Sequence, residues 1–359
     1  MKYIKRLCFV ALIFCQTGSL LSHMKPIKKD GRYYYSSDDT YNHISFFRLL
    51  GQLSISPSKW KDKIKSWFNF SKKTNKAYEL LNPTQTIPKK ESDNLEITWI
   101  GHASFLIQID GFNILTDPIF GDTKAGPITI SSRAIAPGIK LEDLPHIDAI
   151  VISHNHSDHT DTNALKALGK KYDPTVYVPE GNKELFTSFG FSRVVESTWW
   201  EKGQLSKGDK NITFTCLPAY HWSIRFSLSS YRRSLCASWM ISTSNKNIYF
   251  AGDTAQGPHF KEIAADFPSI DIALMPIGPT CEGENKHKVY HIDAREAVDA
   301  FIDLNASCFI PMHYGTFFSE KEMLEYPISV LRAYWEEKET ALDNKTLLFA
   351  RCGQSYRVS

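Results

Sequence analysis

Residues 154–159 read His154-Asn155-His156-Ser157-Asp158-His159, four metal-capable side chains in six positions. They follow Asp148–Ser153, an apolar run with strand character. A strand end followed by a turn aims alternate residues into one cavity. His154 and His156 can therefore share one ion, while Asp158 and His159, past the bend, reach a second. Neutral imidazole and carboxylate suit Zn²⁺, and also Mn²⁺ or Fe²⁺. Cysteine does not compete for this chemistry: the chain has 7 Cys, none in a C-x-x-C pair, so a disulfide framework is excluded. Cys216, Cys236 and Cys308 fall in strand-like apolar stretches and read as small buried hydrophobes.

Positioning such a cluster takes a sheet, and the pattern from Leu95 onward supplies it. Strands are expected at Glu96–Ile100, Ser104–Ile109, Phe112–Thr116, Asp148–Ser153, Thr175–Val178, Ile212–Leu217, Leu235–Ser242, Asn247–Ala251, Ile270–Met275 and Ser307–Pro311. Asp110-Gly111 between the second and third is a hairpin signal. Helices are expected at Thr160–Leu168, Gly257–Ala265 and Ala294–Leu304. Strands first and helices interleaved afterwards, twice over, predict an α/β fold of two packed sheets with helices outside. The 359 residues, 42% hydrophobic and 23% charged, exclude disorder as the main state; 19 Gly and 17 Pro without an internal period exclude collagen, solenoids and propellers.

The net charge of +3 hides an asymmetry. Residues 1–90 hold 17 Lys+Arg against 5 Asp+Glu, a net +12, which leaves 25 against 34, a net −9, for residues 91–359. Residues 1–22 read as a signal peptide or N-terminal anchor: Lys2, Lys5 and Arg6 precede the apolar run Leu7–Cys15, and Thr17-Gly18-Ser19 offers small residues for cleavage. Residues 23–90 form a basic arm without strand alternation, in which Trp60, Ile64, Trp67 and Phe68 recur at helical spacing among Lys59, Lys61, Lys63 and Lys65. That amphipathic segment suits either an anionic membrane surface or docking on the main domain, residues 91–359. The acidic body disfavours nucleic acid as a partner. An exported chain, periplasmic or peripheral to a membrane, is the corresponding expectation. Oligomeric state stays open, a homodimer included.

The segment 154–159 matches H-x-H-x-D-H, and on it the chain resembles the metallo-β-lactamase fold superfamily, which implies an αββα sandwich. The resemblance is carried further by His221 in Leu217-Pro218-Ala219-Tyr220-His221-Trp222, Asp253 in Phe250-Ala251-Gly252-Asp253-Thr254 and His313 in Ile310-Pro311-Met312-His313-Tyr314-Gly315, each at an expected strand end. It implies that His154, His156 and His221 hold one ion, Asp158, His159 and His313 the other, and that Asp253 bridges them. Two ions about 3.5–4 Å apart lower the pKa of a shared water and clamp the entering and leaving oxygens of a displacement, so hydrolysis is the implied reaction class. All seven donors are nitrogen or oxygen, unlike the cysteine-containing site of class B β-lactamases.

Within the superfamily the chain is similar to the N-acylphosphatidylethanolamine-hydrolysing phospholipase D branch over most of residues 45–359. The likeness rests on Thr98-Trp99-Ile100-Gly101-His102-Ala103-Ser104, Leu115-Thr116-Asp117-Pro118-Ile119-Phe120, His221-Trp222 followed by Arg225, Ser238-Trp239, Met275-Pro276-Ile277-Gly278, and His291 before Asp293. Asp117 can accept the second ring N–H of a metal histidine or cap a turn before Pro118. His102 stands beside the site or is a hydrogen-bonded core histidine. Arg225 can fork onto a phosphate or form a structural ion pair. His291 can protonate a leaving alcohol, since metal ligands are excluded from that task, or simply flank a helix. His23, His43, His146, His259 and His287 have no motif context and are expected to be exposed or structural.

The implied activity is that of a dinuclear Zn²⁺ phosphodiesterase of phospholipase D type, in which a hydroxide shared by the two ions attacks the phosphorus of an N-acylphosphatidylethanolamine-like phospholipid and releases phosphatidic acid and an N-acylethanolamine. Two alternatives remain at this stage: another ester, such as a lactone, sugar phosphate or cyclic phosphodiester, and a noncatalytic lipid-binding role. The segment Pro279–Tyr290 departs from the branch pattern, so acyl selectivity is not inherited, and its polar residues with Gly283 suit a binding loop.

Overall fold

The computed structural model of the chain describes residues 23–35, 82–225, 227–280, 288–317 and 326–358. The leader, the amphipathic segment around Trp60, His43 and His287 lie outside the described residues, as does most of the loop after Pro279. No helix among the described residues is long and apolar enough to cross a membrane.

In chain order the strands are β1 (Ile27–Lys29), β2 (Arg32–Tyr34), β3 (Glu96–Gly101), β4 (Ser104–Ile109), β5 (Phe112–Thr116), β6 (Thr123–Ala125), β7 (Ile128–Ser131), β8 (Ala149–Val151), β9 (Thr175–Pro179), β10 (Val194–Ser197), β11 (Lys202–Lys207), β12 (Lys210–Pro218), β13 (Ala237–Ser242), β14 (Asn247–Phe250), β15 (Ile272–Pro276), β16 (Cys308–Met312), β17 (Thr346–Leu347) and β18 (Ser355–Arg357). They form two seven-stranded mixed sheets, ordered β10-β9-β8-β5-β4-β3-β18 and β11-β12-β13-β14-β15-β16-β17, beside two small hairpins. Asp110 and Gly111 join β4 to β5 with φ of 51° and 77°, the two left-handed residues that a tight hairpin of this twist needs.

Alternation along the first sheet explains the layers. Phe105 and Ile107 join Phe214, Trp239, Phe250 and Ile310 of the second sheet in one buried cluster, while Leu106 faces the other way, toward Leu165, Leu168 and Phe186. The helices Thr162–Tyr172 and Lys183–Ser188 carry those last three residues and cover the outer face of the first sheet. Helices His259–Asp266, Ala294–Leu304 and Tyr326–Glu337 cover the second, through Phe260, Val298, Phe301 and Leu331. The result is the αββα sandwich. Asp161 caps its helix by accepting from Asn163 and Ala164 amides, and Asp293 does the same in a capping box with Glu296.

Two tryptophans cross this core with their one polar atom satisfied. Trp239 Nε1 donates to the Ile152 carbonyl at 2.8 Å and Trp99 Nε1 to that of His102 at 2.9 Å. Each is fully buried, so truncation to Ala costs about 3–5 kcal/mol and also frees a backbone turn.

Several elements differ from the sequence expectation. The hairpin β1–β2 stands in the stretch read as lacking strand alternation, and it packs on the body: the Tyr33 amide donates to the Arg232 carbonyl at 2.8 Å and Lys28 pairs with Glu180 at 3.0 Å. Three residues per strand are too few for a period-2 signal. The short or polar strands β6, β7, β10 and β11 and the helix Tyr326–Glu337 escaped for similar reasons. The helix expected from Thr160 begins at Thr162, because Thr160 donates to the His154 carbonyl at 3.0 Å and closes the histidine loop instead.

Candidate metal centre

The loop 154–159 leaves the end of β8 at the middle of the first sheet. Its parallel neighbour β5 ends just before Asp117, whose amide donates to the Val151 carbonyl at 3.0 Å and whose carboxylate accepts from the Ser153 amide at 2.7 Å. From the second sheet, β12 ends before His221, β14 before Asp253 and β16 before His313. The sheets meet closely here: a Cβ on Gly252, at φ 57°, would lie 2.4 Å from the Ser153 Cβ, so only glycine lets Asp253 reach the loop.

His154, His156 and His221 form one group. His154 Nε2 and His221 Nε2 lie 2.9 Å and 3.3 Å from His156 Nδ1. Two nitrogens on one tetrahedral zinc ion stand about 3.3–3.4 Å apart, from bond lengths near 2.0–2.1 Å. Their outer nitrogens fix the protons. The Ser153 hydroxyl donates to Asp117 Oδ2 at 2.5 Å, so its oxygen, 2.9 Å from His154 Nδ1, accepts from that ring. His221 Nδ1 faces the Tyr290 carbonyl at 2.7 Å and must likewise donate. Both Nε2 atoms therefore turn lone pairs toward His156 Nδ1, and one ring proton cannot point at both. Burial keeps these rings neutral, holding His156 at about 4 and His221 at about 3, with His154 also well below the ordinary value. A cation is the partner this group fits.

The second group is built around carboxylates. His159 Nδ1 donates to Asp117 Oδ2 at 2.7 Å, and its Nε2 lies 3.2 Å from Asp253 Oδ2 and 3.9 Å from Asp158 Oδ2. His313 Nε2 is 3.1 Å from Asp253 Oδ1. Among the described residues neither His313 nitrogen nor Asp253 Oδ1 meets a hydrogen-bond partner in good geometry, though all three atoms are buried. Buried polar atoms left this way fit a ligand set for a metal ion. Burial works against charge on His159, Asp158 and Asp253. Their mutual attraction prevails, holding His159 protonated well above the usual imidazole range and both carboxyls well below theirs. Burial raises Asp117, with His159 and Ser153 opposing.

Asp253 joins the groups. Its Oδ2 lies 3.8 Å from both His154 Nε2 and His221 Nε2, and its two oxygens reach His159 and His313 on the other side. All seven residues read from the sequence as ligands thus meet at one place.

Among the remaining candidates, Asp117 is placed to orient His159. His291 Nδ1 lies 3.8 Å from Asp253 Oδ2, and its ring stands 4.9 Å from that of His221. His291 therefore stands at the centre itself, its donor atom grouped with those of His221 and Asp253. Arg225 Nη2 donates to Thr162 Oγ1 at 2.7 Å and Nη1 to the Asn155 carbonyl at 3.4 Å, which ties the histidine loop to the following helix. It also lines a 140 Å³ cavity with Ser157, Thr160, Asp161 and Lys124. Neither contact is the phosphate fork or the ion pair read from the sequence.

His102 is drawn in further than the sequence suggested. Its Nε2 is 3.4 Å from Asp158 Oδ2, its ring lies 4.0 Å from that of His313, and His102, Asp158, His159 and His313 offer donor atoms within 4.8 Å of one another. His259, expected to be exposed or structural, is fully buried behind the centre, 3.2 Å from Thr254 Oγ1, which also accepts from the Tyr220 amide. Thr254 and Tyr220 each adjoin a candidate ligand. Tyr35 and the Tyr290 carbonyl, which support His221, carry no motif that a sequence would show.

Comparison with known proteins agrees with this geometry. The description "Beta-lactamase superfamily domain" matches residues 112–314. The chain is 34% identical over 238 residues to an uncharacterised protein of Mycobacterium tuberculosis, covering 64% of this chain and 61% of that one. It is 34% identical over 255 residues to the N-acyl-phosphatidylethanolamine-hydrolyzing phospholipase D 1 of Caenorhabditis elegans, covering 67% of each. It is 32% identical over 222 residues to the mitochondrial N-acyl-phosphatidylethanolamine-hydrolyzing phospholipase D of Saccharomyces cerevisiae, covering 61% and 47%. The match thus spans under two thirds of the length of the mycobacterial relative. In fold it resembles the metallo-hydrolase Igni18 of Ignicoccus hospitalis, with a TM-score of 0.54 at 22% identity over 73% of this chain and 97% of that one. It also resembles an isothiocyanate hydrolase from Delia radicum gut bacteria, at 0.55 and 20% over 74% and 99%. The chain belongs to the metallo-β-lactamase superfamily, in the branch similar to N-acylphosphatidylethanolamine-hydrolysing phospholipase D.

Proposed function

We propose that the protein is a metal-dependent phosphodiesterase of phospholipase D type, with two Zn²⁺ ions and an N-acylphosphatidylethanolamine-like substrate. The observation that carries this reading is the position of Asp253, within 3.8 Å of four histidines drawn from both groups. Such an arrangement serves two cations that share one carboxylate. His154, His156 and His221 would hold one ion, Asp158, His159 and His313 the other, with Asp253 between them. A bound pair supplies a nucleophile at neutral pH and neutralises charge developing on a phosphoryl group.

The chain's own residues do the rest. Ser153 and Tyr290 keep the lone pairs of His154 and His221 turned inward, and Asp117 accepts from His159 Nδ1 and fixes the orientation of that ring. His291, 15% exposed at its side chain, is placed to hand a proton to the leaving alcohol. Arg225 holds the histidine loop against its helix. The likeness to worm and yeast phospholipases D supports the substrate class. The basic N-terminal region supports contact with an anionic membrane surface and the apolar leader supports export, both as part of this proposal.

The test is metal analysis of the purified chain combined with mass spectrometry of products from N-acylphosphatidylethanolamine micelles, with bis-p-nitrophenyl phosphate assayed alongside. Two equivalents of metal with release of phosphatidic acid and N-acylethanolamine are expected. Cleavage of the generic ester alone would move the substrate to another phosphodiester. Absence of metal that added zinc does not restore would overturn the mechanism.

A further inference from the structure

We propose that the described residues 23–35 lie along the body as a strap and that one of them, Tyr35, is a positioning residue for the metal centre. This rests on the reading of the His/Asp cluster as that centre and is independent of the substrate.

The strap is tied along its length. His23 stacks on Trp200 with ring centroids 4.3 Å apart, the Met24 amide donates to Glu262 at 2.5 Å, and Trp200 Nε1 donates to the Met24 carbonyl at 2.8 Å. Further on, β2 exchanges contacts with residues 231 and 232: the Tyr33 amide donates to the Arg232 carbonyl at 2.8 Å, Arg32 Nε to that of Tyr231 at 3.2 Å, and Arg232 Nη1 returns to the Tyr33 carbonyl at 3.3 Å. Tyr33 and Tyr35 are both buried.

Tyr35 touches both walls around His221. Its ring stacks on Tyr220 at 4.6 Å, next to His221 in the chain, and its hydroxyl donates to the Val289 carbonyl. Val289 precedes Tyr290, whose carbonyl accepts from His221 Nδ1, and His291 follows. On the far side the Ile292 amide donates to the Thr254 carbonyl at 2.8 Å. The short run 289–292 is thus pinned at Val289 by Tyr35 and at Ile292 by Thr254. Between the pins lie the acceptor that orients one candidate ligand and the His291 imidazole, 3.8 Å from Asp253. Releasing the first pin frees both at once, although Tyr35 is 186 residues away from His221 in sequence.

The experiment compares the full chain with Tyr35→Phe and with Lys28→Ala. The first keeps the ring and loses only the hydroxyl; the second removes the exposed Lys28–Glu180 pair elsewhere on the strap. Zinc retention is read by chelator competition, and local order by amide hydrogen exchange of residues 288–293. Tyr35→Phe is expected to lose the zinc equivalent held by His154, His156 and His221 about tenfold more readily, the size seen when an outer partner of a metal histidine is removed. Exchange should quicken in 288–293, while Lys28→Ala matches the parent in both. Equal retention and equal exchange in Tyr35→Phe overturn the proposal, and so does an equal loss in Lys28→Ala, which would make the strap a general stabiliser. A parent chain that binds no zinc defeats the metal-centre reading itself.

Discussion

The imidazole half of the centre and its carboxylate half are prepared in opposite ways. His154, His156 and His221 are kept neutral by burial and turn lone pairs to one point, a set suited to a cation. Around His159 the attraction of Asp253, Asp158 and Asp117 overcomes burial and favours the charged ring, among carboxylates that outnumber it. The backbones differ too. His154, His156 and His221 have ordinary conformations, whereas His313 at φ 60°, the adjoining His102 at 53° and Asp117 at 31° are left-handed without being glycine. Such residues cost about 1–3 kcal/mol each and persist where the surroundings over-determine them. Here the His313 amide donates to the His102 carbonyl at 3.1 Å, and the His102 amide to Thr316 Oγ1 at 2.6 Å. One half is prepared by desolvation and the other by strained, cross-linked turns.

The largest effect is expected where the halves join. Asp253→Asn keeps the shape and removes the shared charge, so kcat/KM on bis-p-nitrophenyl phosphate should fall by about a thousandfold or more, with the melting temperature of the metal-free chain little lowered. A fully active, metal-replete variant would break the idea of a joined centre. Asp117→Asn separates the halves: His159 loses its oriented partner, and zinc affinity there should weaken about 10- to 100-fold while the imidazole half holds. Equal losses in both halves, read from a two-phase chelation curve, would erase the distinction. Ser153→Ala is the intermediate case, because Ser153 Oγ touches Asp117 at 2.5 Å and His154 at 2.9 Å. It should weaken both phases by about tenfold, the cost of one lost buried hydrogen bond or two.

The same division decides how much was legible in the sequence. His154 and His156 of the imidazole half, with Asp158 and His159, stand in one hexapeptide behind an apolar strand, so spacing alone located them. His221, Asp253 and His313 were reached by resemblance, since each is a single residue at a strand end, and only sheet order brings those ends together. The motif tryptophans acquired a reason from the structure: Trp99 and Trp239 hold the backbone at His102 and just before His154. His102 stayed undecided between core and site because its left-handed turn and its pairing with Asp158 are not written in any local pattern. Tyr35 was beyond reach, being an aromatic residue in a basic stretch with two three-residue strands.

The smallest expected effect concerns His259, which belongs to neither half but stands behind both. Burial pushes its ring down to about 3, so the folded chain does not protonate it in mild acid, while the unfolded chain does near 6.5. The unfolded state therefore binds the extra proton between those values, and stability drops as pH falls through that window by about 1.4 kcal/mol per pH unit for this one group. Unfolding the chelated protein and its His259→Phe variant in urea at pH 8, 6 and 5 isolates that slope as the difference between them. His259→Phe keeps an aromatic ring against Tyr220, whose centroid is 4.5 Å away, and removes the titrating group. It should cost about 1 kcal/mol at pH 8, where only the contact with Thr254 is lost, and should make the acid limb shallower by one proton. An acid limb as steep as the parent's would mean that His259 is already protonated in the fold. In that case the desolvation invoked for the imidazole half would not extend to the shell behind it.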